Sequence, residues 1–333
     1  MPTAHSTPNI AFIKYWGNRN NNLRLPAADS LSMTLDSPHV EITVDHAEIF
    51  AVRSFEGDGS EKSLQEKDIA RFRQHLDVMQ VYLGEIGGSS AIPGSISITV
   101  HSHIPSSIGL ASSAAVFACL AKAYAGLVKK AIVLNDEQIS VIARFGSGSA
   151  ARSIFGGYGA LLAGDGNAMD AAYGVQVADE NHWPLHDIIL VPTQEEKKVG
   201  STEGHTIAWT SPHYKKRLAA IPRRQKECAD AILQKDFEKL QRVTEEDCWD
   251  MHNVMQTSTP SLQYLSDETY RITDEITQLR EREHLPVLYT MDAGPTVHLL
   301  CTEEAVEVVR AFAKKQKGST VFEAKTGSGA YLL

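Results

Sequence analysis

Apolar and polar positions alternate over residues 40–44 and 96–100, the period of strands with one buried face. Between them, residues 61–84 are charged, with apolar positions at helical spacing, and a Gly/Ser/Pro loop at 87–94 closes that segment. Near the start, the apolar run 10–13 leads directly into Lys14, Tyr15 and Trp16. After Pro105, a glycine- and serine-rich turn runs into an alanine-rich helix from Ser112 to about Leu127. Asn135 and Asp136 suit the N-cap of a further helix that stops before Gly146. A glycine/serine loop at 146–151 opens a short helix, and Gly156-Gly157 breaks the chain before the apolar run 158–163. Residues 186–191 begin a new strand. Residues 211–280 read as mostly helical, with breaks at Pro222 and near Pro260. Strands at 287–290 and 297–300 flank an Asp-Ala-Gly-Pro turn, a helix covers 303–315, and 321–333 is a final strand interrupted by Gly-Ser-Gly. Strands and helices mix without strict alternation, which predicts an α+β fold with antiparallel sheets.

Length and charge narrow the picture. A chain of 333 residues exceeds what one core comfortably supports, so two domains are expected, 1–184 and 185–319, with 320–333 free to return to the first. A net charge of −9 without a block of Lys and Arg argues against a nucleic-acid surface, so a bound anion needs a locally basic pocket. Four scattered cysteines without C-x-x-C spacing predict free thiols in a reducing compartment. The N-terminus shows no signal-peptide pattern, and the longest apolar stretch, 108–128, carries Ser112, Ser113 and Lys122. A cytoplasmic protein with small-molecule partners, and with no nucleic acid or membrane, is expected.

Four segments carry candidate chemistry. Lys14 leaves an apolar strand beside two hydrogen-bonding aromatics and suits a small anion, or else is an edge-strand lysine reaching solvent. In the Pro105–Ala115 segment, small residues let backbone N–H groups converge on an anion at a helix start, and Ser112 and Ser113 offer hydroxyls to phosphate or magnesium. The bland alternative is a Ser-capped, tightly packed helix. Gly146-Ser-Gly-Ser-Ala-Ala-Arg152 places an arginine in the first turns of a helix, fit to hold a carboxylate or to pair on the surface. Asp292, at a strand end before a Gly-Pro turn, is a candidate general base or a turn aspartate. Ser201-Thr202-Glu203-Gly204 is a weaker phosphate candidate. His182, His186, His205 and His213 lack metal-ligand spacing, and Asp247, Asp250 and His252 read as structural members of a helix.

Taken in order, N-I-A-F-I-K-Y-W-G, L-S-M-T-L-D, P-S-S-I-G-L-A-S-S-A-A, G-S-G-S-A-A-R-S-I-F-G-G-Y and Y-T-M-D-A-G-P resemble the mevalonate diphosphate decarboxylases of the GHMP kinase superfamily. The resemblance implies an N-terminal domain like domain 2 of ribosomal protein S5, a ferredoxin-like C-terminal domain and a site between them. It implies ATP with Mg2+, a homodimer and a place in isoprenoid synthesis. By position, Asp292, Lys14 and Arg152 would be catalytic, with Arg152 on the substrate carboxylate. Tyr15, Asn18, Ser147, Ser149 and Ser201 would line the substrate. Ser107, Gly109, Leu110, Ala111, Ser112 and Ser113 would bind ATP, the last two also meeting magnesium.

The departures concern the substrate's tail. The family's second lysine after K-Y-W-G is Asn18 here, its usual Asn-Ser before L-S-x-T-L is Ala28-Asp29, and its usual Met after the S-T-x-G loop is His205. A phosphate-binding arginine expected near 67–73 has Arg71 and Arg73 as candidates. Loss of one cation leads to the expectation of mevalonate 5-phosphate, giving isopentenyl phosphate, with the 5-diphosphate as the alternative. A mevalonate kinase-like enzyme that stops after phosphoryl transfer, and a non-catalytic binding protein, are the remaining rivals.

Overall fold

The computed structural model describes residues 1–105, 112–192 and 200–333. The expected ATP-loop residues Ser107, Gly109, Leu110 and Ala111 lie outside them. Three large sheets organise the rest, beside a two-stranded pair of Asn18–Asn20 with Leu25–Pro26. The first runs Tyr331–Leu332, Thr3–Ser6, Val40–His46, Ile96–Ser102, Ala51–Glu56, Glu61–Lys62. Its pairs are antiparallel except Ala51–Glu56 with Ile96–Ser102. The period-2 pattern does what it predicts: Val40, Ile42 and Val44, and Ile96, Ile98 and Val100, all point into the core. The Ser112–Val128 helix packs on Val40–His46, and its buried Ala114, Ala115, Ala118 and Ala121 allow a close approach.

The second sheet runs Tyr173–Ala178, Tyr158–Leu162, Ser30–Thr34, Asn9–Ile13. Asn9–Ile13 and Ser30–Thr34 are buried along their whole length. Their polar residues Asn9, Ser30 and Ser32 therefore need partners inside the protein.

The third sheet runs Val287–Thr290, Val297–Cys301, His186–Val191, Thr320–Lys325, all antiparallel. Alternate residues serve different cores. Ile189, Val191, Leu288 and Leu300 join the large cluster beneath the first two sheets. Ile188, Leu190, Val287, Val297 and Leu299 pack with Ile272 and Ile276 of the Asp267–Glu283 helix. A third cluster joins Trp16 to Tyr214, Met251, Val254 and Met255, so the early chain rests on the later helices.

Helix ends follow local chemistry. Asn135 caps Asp136–Gly146 by accepting the Gln138 N–H at 2.8 Å while Gln138 accepts that of Asn135 at 3.0 Å, as the sequence anticipated. Several expectations change in detail. Pro222 lies inside the Tyr214–Gln234 helix, because buried Arg217, Ile221, Arg224 and Cys228 anchor that helix on both sides of it. The short helix is confined to Ala150–Ser153, since residues 147–149 remain a turn facing the site. Residues 61–62 form a strand with Ala51–Glu56 before the Glu66–Glu85 helix begins, and the helix expected at 303–315 is Val306–Lys314. The single final strand divides: Thr320–Lys325 belongs to the third sheet and Tyr331–Leu332 to the first. Between them, Gly327 O accepts the Gly157 N–H at 2.9 Å, and the Ala330 N–H donates to Ser153 O at 3.0 Å.

All four cysteines are buried and free. Burial raises every thiol above its ordinary range, Cys301 to about 12. Among the described residues no helix is long and apolar enough to cross a membrane.

The crossing between sheets is tight at Gly327, where a Cβ would lie 2.4 Å from Leu35 O and 2.5 Å from the Asp36 backbone. Neither contact can swing away. Gly327→Ala should destabilise the protein by about 1–3 kcal/mol, the usual cost of overpacking; an unchanged chemical-denaturation midpoint would show that the crossing is looser than this.

Candidate active site

Lys14 follows the last residue of the buried Asn9–Ile13 strand, so its stem enters the interior; it is 3% exposed. A buried ammonium needs an acid. Its Nζ donates to Asp292 Oδ1 at 2.8 Å. Asp292 begins the turn between Val287–Thr290 and Val297–Cys301, and its side chain keeps 34% exposure. That leaves a carboxylate that is both paired and reachable. Burial alone would raise its pKa. The charge and hydrogen bond of Lys14, with His298 and Arg152 nearby, outweigh burial and hold it below the ordinary value. Asp292 is therefore ionised at neutral pH.

Arg152, on the Ala150–Ser153 turn, is 2% exposed. Its Nε donates to Ser32 Oγ at 2.9 Å, one terminal nitrogen to Ser30 Oγ at 2.6 Å and the other to Asn9 Oδ1 at 3.1 Å. These are the buried polar residues of the second sheet, and all are neutral. A guanidinium has five N–H groups, so one remains on each terminal nitrogen, the fork that grips a carboxylate. Burial lowers the pKa of Arg152 to about 10, against the opposing pull of Asp292 and Tyr15, so it stays charged.

Ser147 and Ser149 flank a glycine that lies against Tyr15. A Cβ on Gly148 would sit 2.3 Å from the Tyr15 ring, so only glycine lets that ring lie on the 147–149 turn. The hydroxyls of Ser113, Ser147 and Ser149 form a chain with 3.1 Å steps. Burial raises Tyr15 to about 12, against Arg24, Arg144 and Arg152, so it remains a neutral donor. Ser112, exposed, opens its helix, whose first turn has no acid, as an anion site requires. The Ser201 backbone begins the Ser201–Ile207 helix.

Asn18 is less available than the sequence suggested. Its Oδ1 accepts from the Tyr15 hydroxyl and its Nδ2 donates to Asn21 at 3.1 Å, so both ends of the amide are engaged. Cations near this position come from elsewhere. Arg71 donates to Gly146 O at 2.8 Å, beside the serine turn, whereas Arg73 covers Phe50. Arg24 donates to Phe145 O at 3.0 Å, and Arg144 is fully buried on the carbonyls of Ala172, Leu23 and Met169. Among the described residues no ion pair is formed by Arg24, Arg71, Arg144 or Arg152. Arg71 is one of the two arginines the sequence offers on the Glu66–Glu85 helix, with Arg73. Arg24 and Arg144 carried no motif, because their partners are backbone carbonyls.

His205 was also missed as a site residue. Its ring stacks on Tyr15 with centroids 4.2 Å apart, lies 4.6 Å from Trp16, and accepts the Gly17 N–H at Nδ1, 2.9 Å away. Burial, with Arg24 adding to it, lowers its pKa to about 3. It is a neutral wall of the pocket. The unusual residue after S-T-x-G was the available signal.

Comparison with known proteins agrees along the chain. A model of the diphosphomevalonate decarboxylase-like N-terminal domain matches residues 6–172, and one of the mevalonate 5-diphosphate decarboxylase C-terminal domain matches residues 187–328. The diphosphomevalonate decarboxylase of Danio rerio is 35% identical over 326 residues, covering 94% of this chain and 80% of that protein. The crystal structure of mevalonate diphosphate decarboxylase from Staphylococcus aureus superposes with a TM-score of 0.88 at 29% identity, covering 100% of this chain and 97% of that one. A structure reported as a complex with MVAPP, AMPPCP and magnesium gives 0.87 at 28% identity, covering 100% and 98%. The α+β fold expected from the sequence is thus the GHMP kinase fold of these neighbours.

The buried neutral histidines make a pH prediction. His205, His252 and His75 have pKa values lowered to about 3, 3 and 4, chiefly by burial. The unfolded chain protonates them near 6.5, so the stability they contribute is present above that pH and is lost as pH falls towards their folded values. Stability should therefore decline between about pH 6.5 and 4, by about 1.4 kcal/mol per pH unit for each histidine. His205→Met should flatten the decline by one histidine's share, read from urea midpoints across that range; a parallel decline in both proteins would mean that His205 titrates normally.

Proposed function

The chain belongs to the diphosphomevalonate decarboxylase family, and from that membership we propose that it couples ATP consumption to decarboxylation of a 5-phosphorylated mevalonate, first of all the 5-diphosphate. One observation carries the reading. An ionised acid held by a buried lysine, Asp292 with Lys14, lies within the field of Arg152, a buried arginine with two free N–H groups. That set fits a substrate bearing a hydroxyl to deprotonate and a carboxylate to hold.

In this proposal Asp292 accepts the proton of the C3 hydroxyl as its oxygen forms a bond to the γ-phosphorus and the bond to the leaving ADP breaks. Such transfers depend on placement and charge more than on basicity, which suits a carboxylate with a lowered pKa. Lys14 offsets the charge on the transferred phosphoryl group. Arg152 fixes the carboxylate at C1. The C3–O bond then breaks with loss of phosphate, the C1–C2 electrons become the alkene, and CO2 leaves.

The helix start at Ser112 and Ser113 would receive the ATP phosphates. Among the described residues no three His, Cys, Asp or Glu side chains stand close enough to hold a metal. The fit is to magnesium carried largely on phosphate oxygens, with serine hydroxyls beside it. The two domains we propose meet near residue 185, with Thr320–Lys325 in the second and Tyr331–Leu332 in the first; sheet membership supports that division. Homodimer formation is proposed from family membership alone.

The length of the substrate's phosphate tail has two readings. The relatives are named for the diphosphate, and Arg24 and Arg71 beside the serine turn are cations in reserve for it. Asn18, an amide where the family carries a second lysine, favours the monophosphate. Mevalonate, its 5-phosphate and its 5-diphosphate, compared side by side for ADP and CO2 together, decide between them. The diphosphate should give the highest kcat/KM; a higher value with the monophosphate reverses the choice, and ADP without CO2 would mean a kinase.

Asp292→Asn should abolish turnover, by about 10³-fold or more, while substrate still binds. Comparable loss of binding and rate would make Asp292 structural. Arg152→Ala should raise KM for the substrate with ATP affinity retained, and unchanged kinetics would remove it from the site.

A further inference from the structure

Lys14 and Asp292 follow strands of different sheets, and one helix touches the backbone of Lys14 and that of Met291, the residue before Asp292. The buried face of Phe237–Thr257 includes Thr244, Asp247, Cys248, Met251, His252 and Met255, at the spacing of one helical stripe. Asp247 is fully buried. Its Oδ2 accepts the Lys14 N–H at 2.7 Å and Arg217 at 3.0 Å, while Oδ1 accepts Arg217 at 3.0 Å and Arg224 at 3.2 Å. Arg217 also donates to the Lys14 carbonyl at 3.1 Å. Both backbone groups of Lys14 are thus bound by one carboxylate–guanidinium pair.

The next residue serves the other partner. Cys248 Sγ accepts the Met291 N–H at 3.3 Å and lies 3.5 Å from Met291 O as a donor. Met291 immediately precedes Asp292. One turn later, the buried His252 lies close to Met291 and Asp292. A single neutral acceptor would satisfy the Lys14 N–H. The protein instead buries an acid and two arginines, an arrangement with a large desolvation cost and little freedom to move. Lys14 lies just after a register shift between Ala11 and Ile13. Regular strand pairing does not fix it there, so it depends on this grip.

We infer that Asp247 is a positioning residue for the reaction: with Arg217 on Lys14 and Cys248 on Met291, it makes the Phe237–Thr257 helix the gauge that sets the separation of Lys14 Nζ and Asp292. The inference rests on the assignment of that pair as catalytic. All three residues are buried, so in this inference none of them meets the substrate. Their effect is on alignment alone, where a displacement of about 1 Å can cost about 100-fold in rate.

The test compares Asp247→Asn, Lys14→Ala and the double variant with the parent chain. Asp247→Asn should lower kcat about 10- to 100-fold with each KM changed less than about threefold. The acid limb of its kcat/KM profile should move to higher pH, because a loosened Lys14 leaves burial to raise Asp292. Added to Lys14→Ala, it should lower the residual rate by less than about threefold, since the group it aligns is gone. An unchanged kcat, an unmoved acid limb or a full multiplicative loss in the double variant overturns the inference and leaves the catalytic pair standing. Full turnover by Lys14→Ala would instead defeat the assignment beneath it. If Asp247→Asn fails to fold, Cys248→Ala, which keeps every charge, should show the same shift of the acid limb at a smaller loss of kcat, and an unmoved limb overturns the inference.

Discussion

A buried ammonium must find an acid, and Lys14 finds one 278 positions along the chain. Much of the architecture can be understood as the means of that meeting. The second sheet delivers the lysine at the end of a strand buried on both faces. The third sheet delivers the aspartate in a turn between two strands. Trp16, two residues past the lysine, is packed among the helices inserted after the first strand of the third sheet, so the two parts of the chain meet next to the ion pair. Nothing local in either segment requires the other.

The pocket around the pair has a second electrical property. A chain with nine excess negative charges encloses Arg152, Arg144, Arg71 and Arg24 without giving any of them an ion pair among the described residues. Their N–H groups go to serine hydroxyls, an asparagine and main-chain carbonyls. Such partners satisfy hydrogen bonding but leave the charge uncancelled. The cost of this arrangement is visible in the arginine pKa values, with Arg71, Arg144 and Arg152 all lowered to about 10 by burial. An anionic ligand would supply what the fold withholds.

How much of this was legible in the sequence depended on whether the signal was local. The 40–44 and 96–100 alternation, the Asn135 cap and the alanine-rich helix from Ser112 are short-range patterns, and the structure follows them. Lys14, Arg152 and Asp292 stood out because each sits in a distinctive run of small or aromatic neighbours. Pro222 was misread because the rule that proline breaks helices is local, whereas buried residues on either side of it are held by tertiary packing. Arg24 and Arg144 have main-chain partners that leave no trace in residue type. His205 was seen as odd but not as a ring stacked on Tyr15. From the sequence Asp247 reads as a structural member of its helix. What it holds was not legible, because that partner is 233 residues away.

The buried thiols give this fold an internal clock. In the closed molecule a reagent that needs a thiolate meets neither access nor ionisation, so any labelling reports a transient opening. The four sites sample different places: Cys119 contacts the carbonyls of Ala4 and Val40 in the first sheet, Cys301 lies in the third, and Cys248 touches the residue before Asp292. Cys228 marks the helix that carries Arg217. Differences in their reactivity would rank how often each layer breathes, with the Cys248 rate belonging to the joint that aligns the two charged groups.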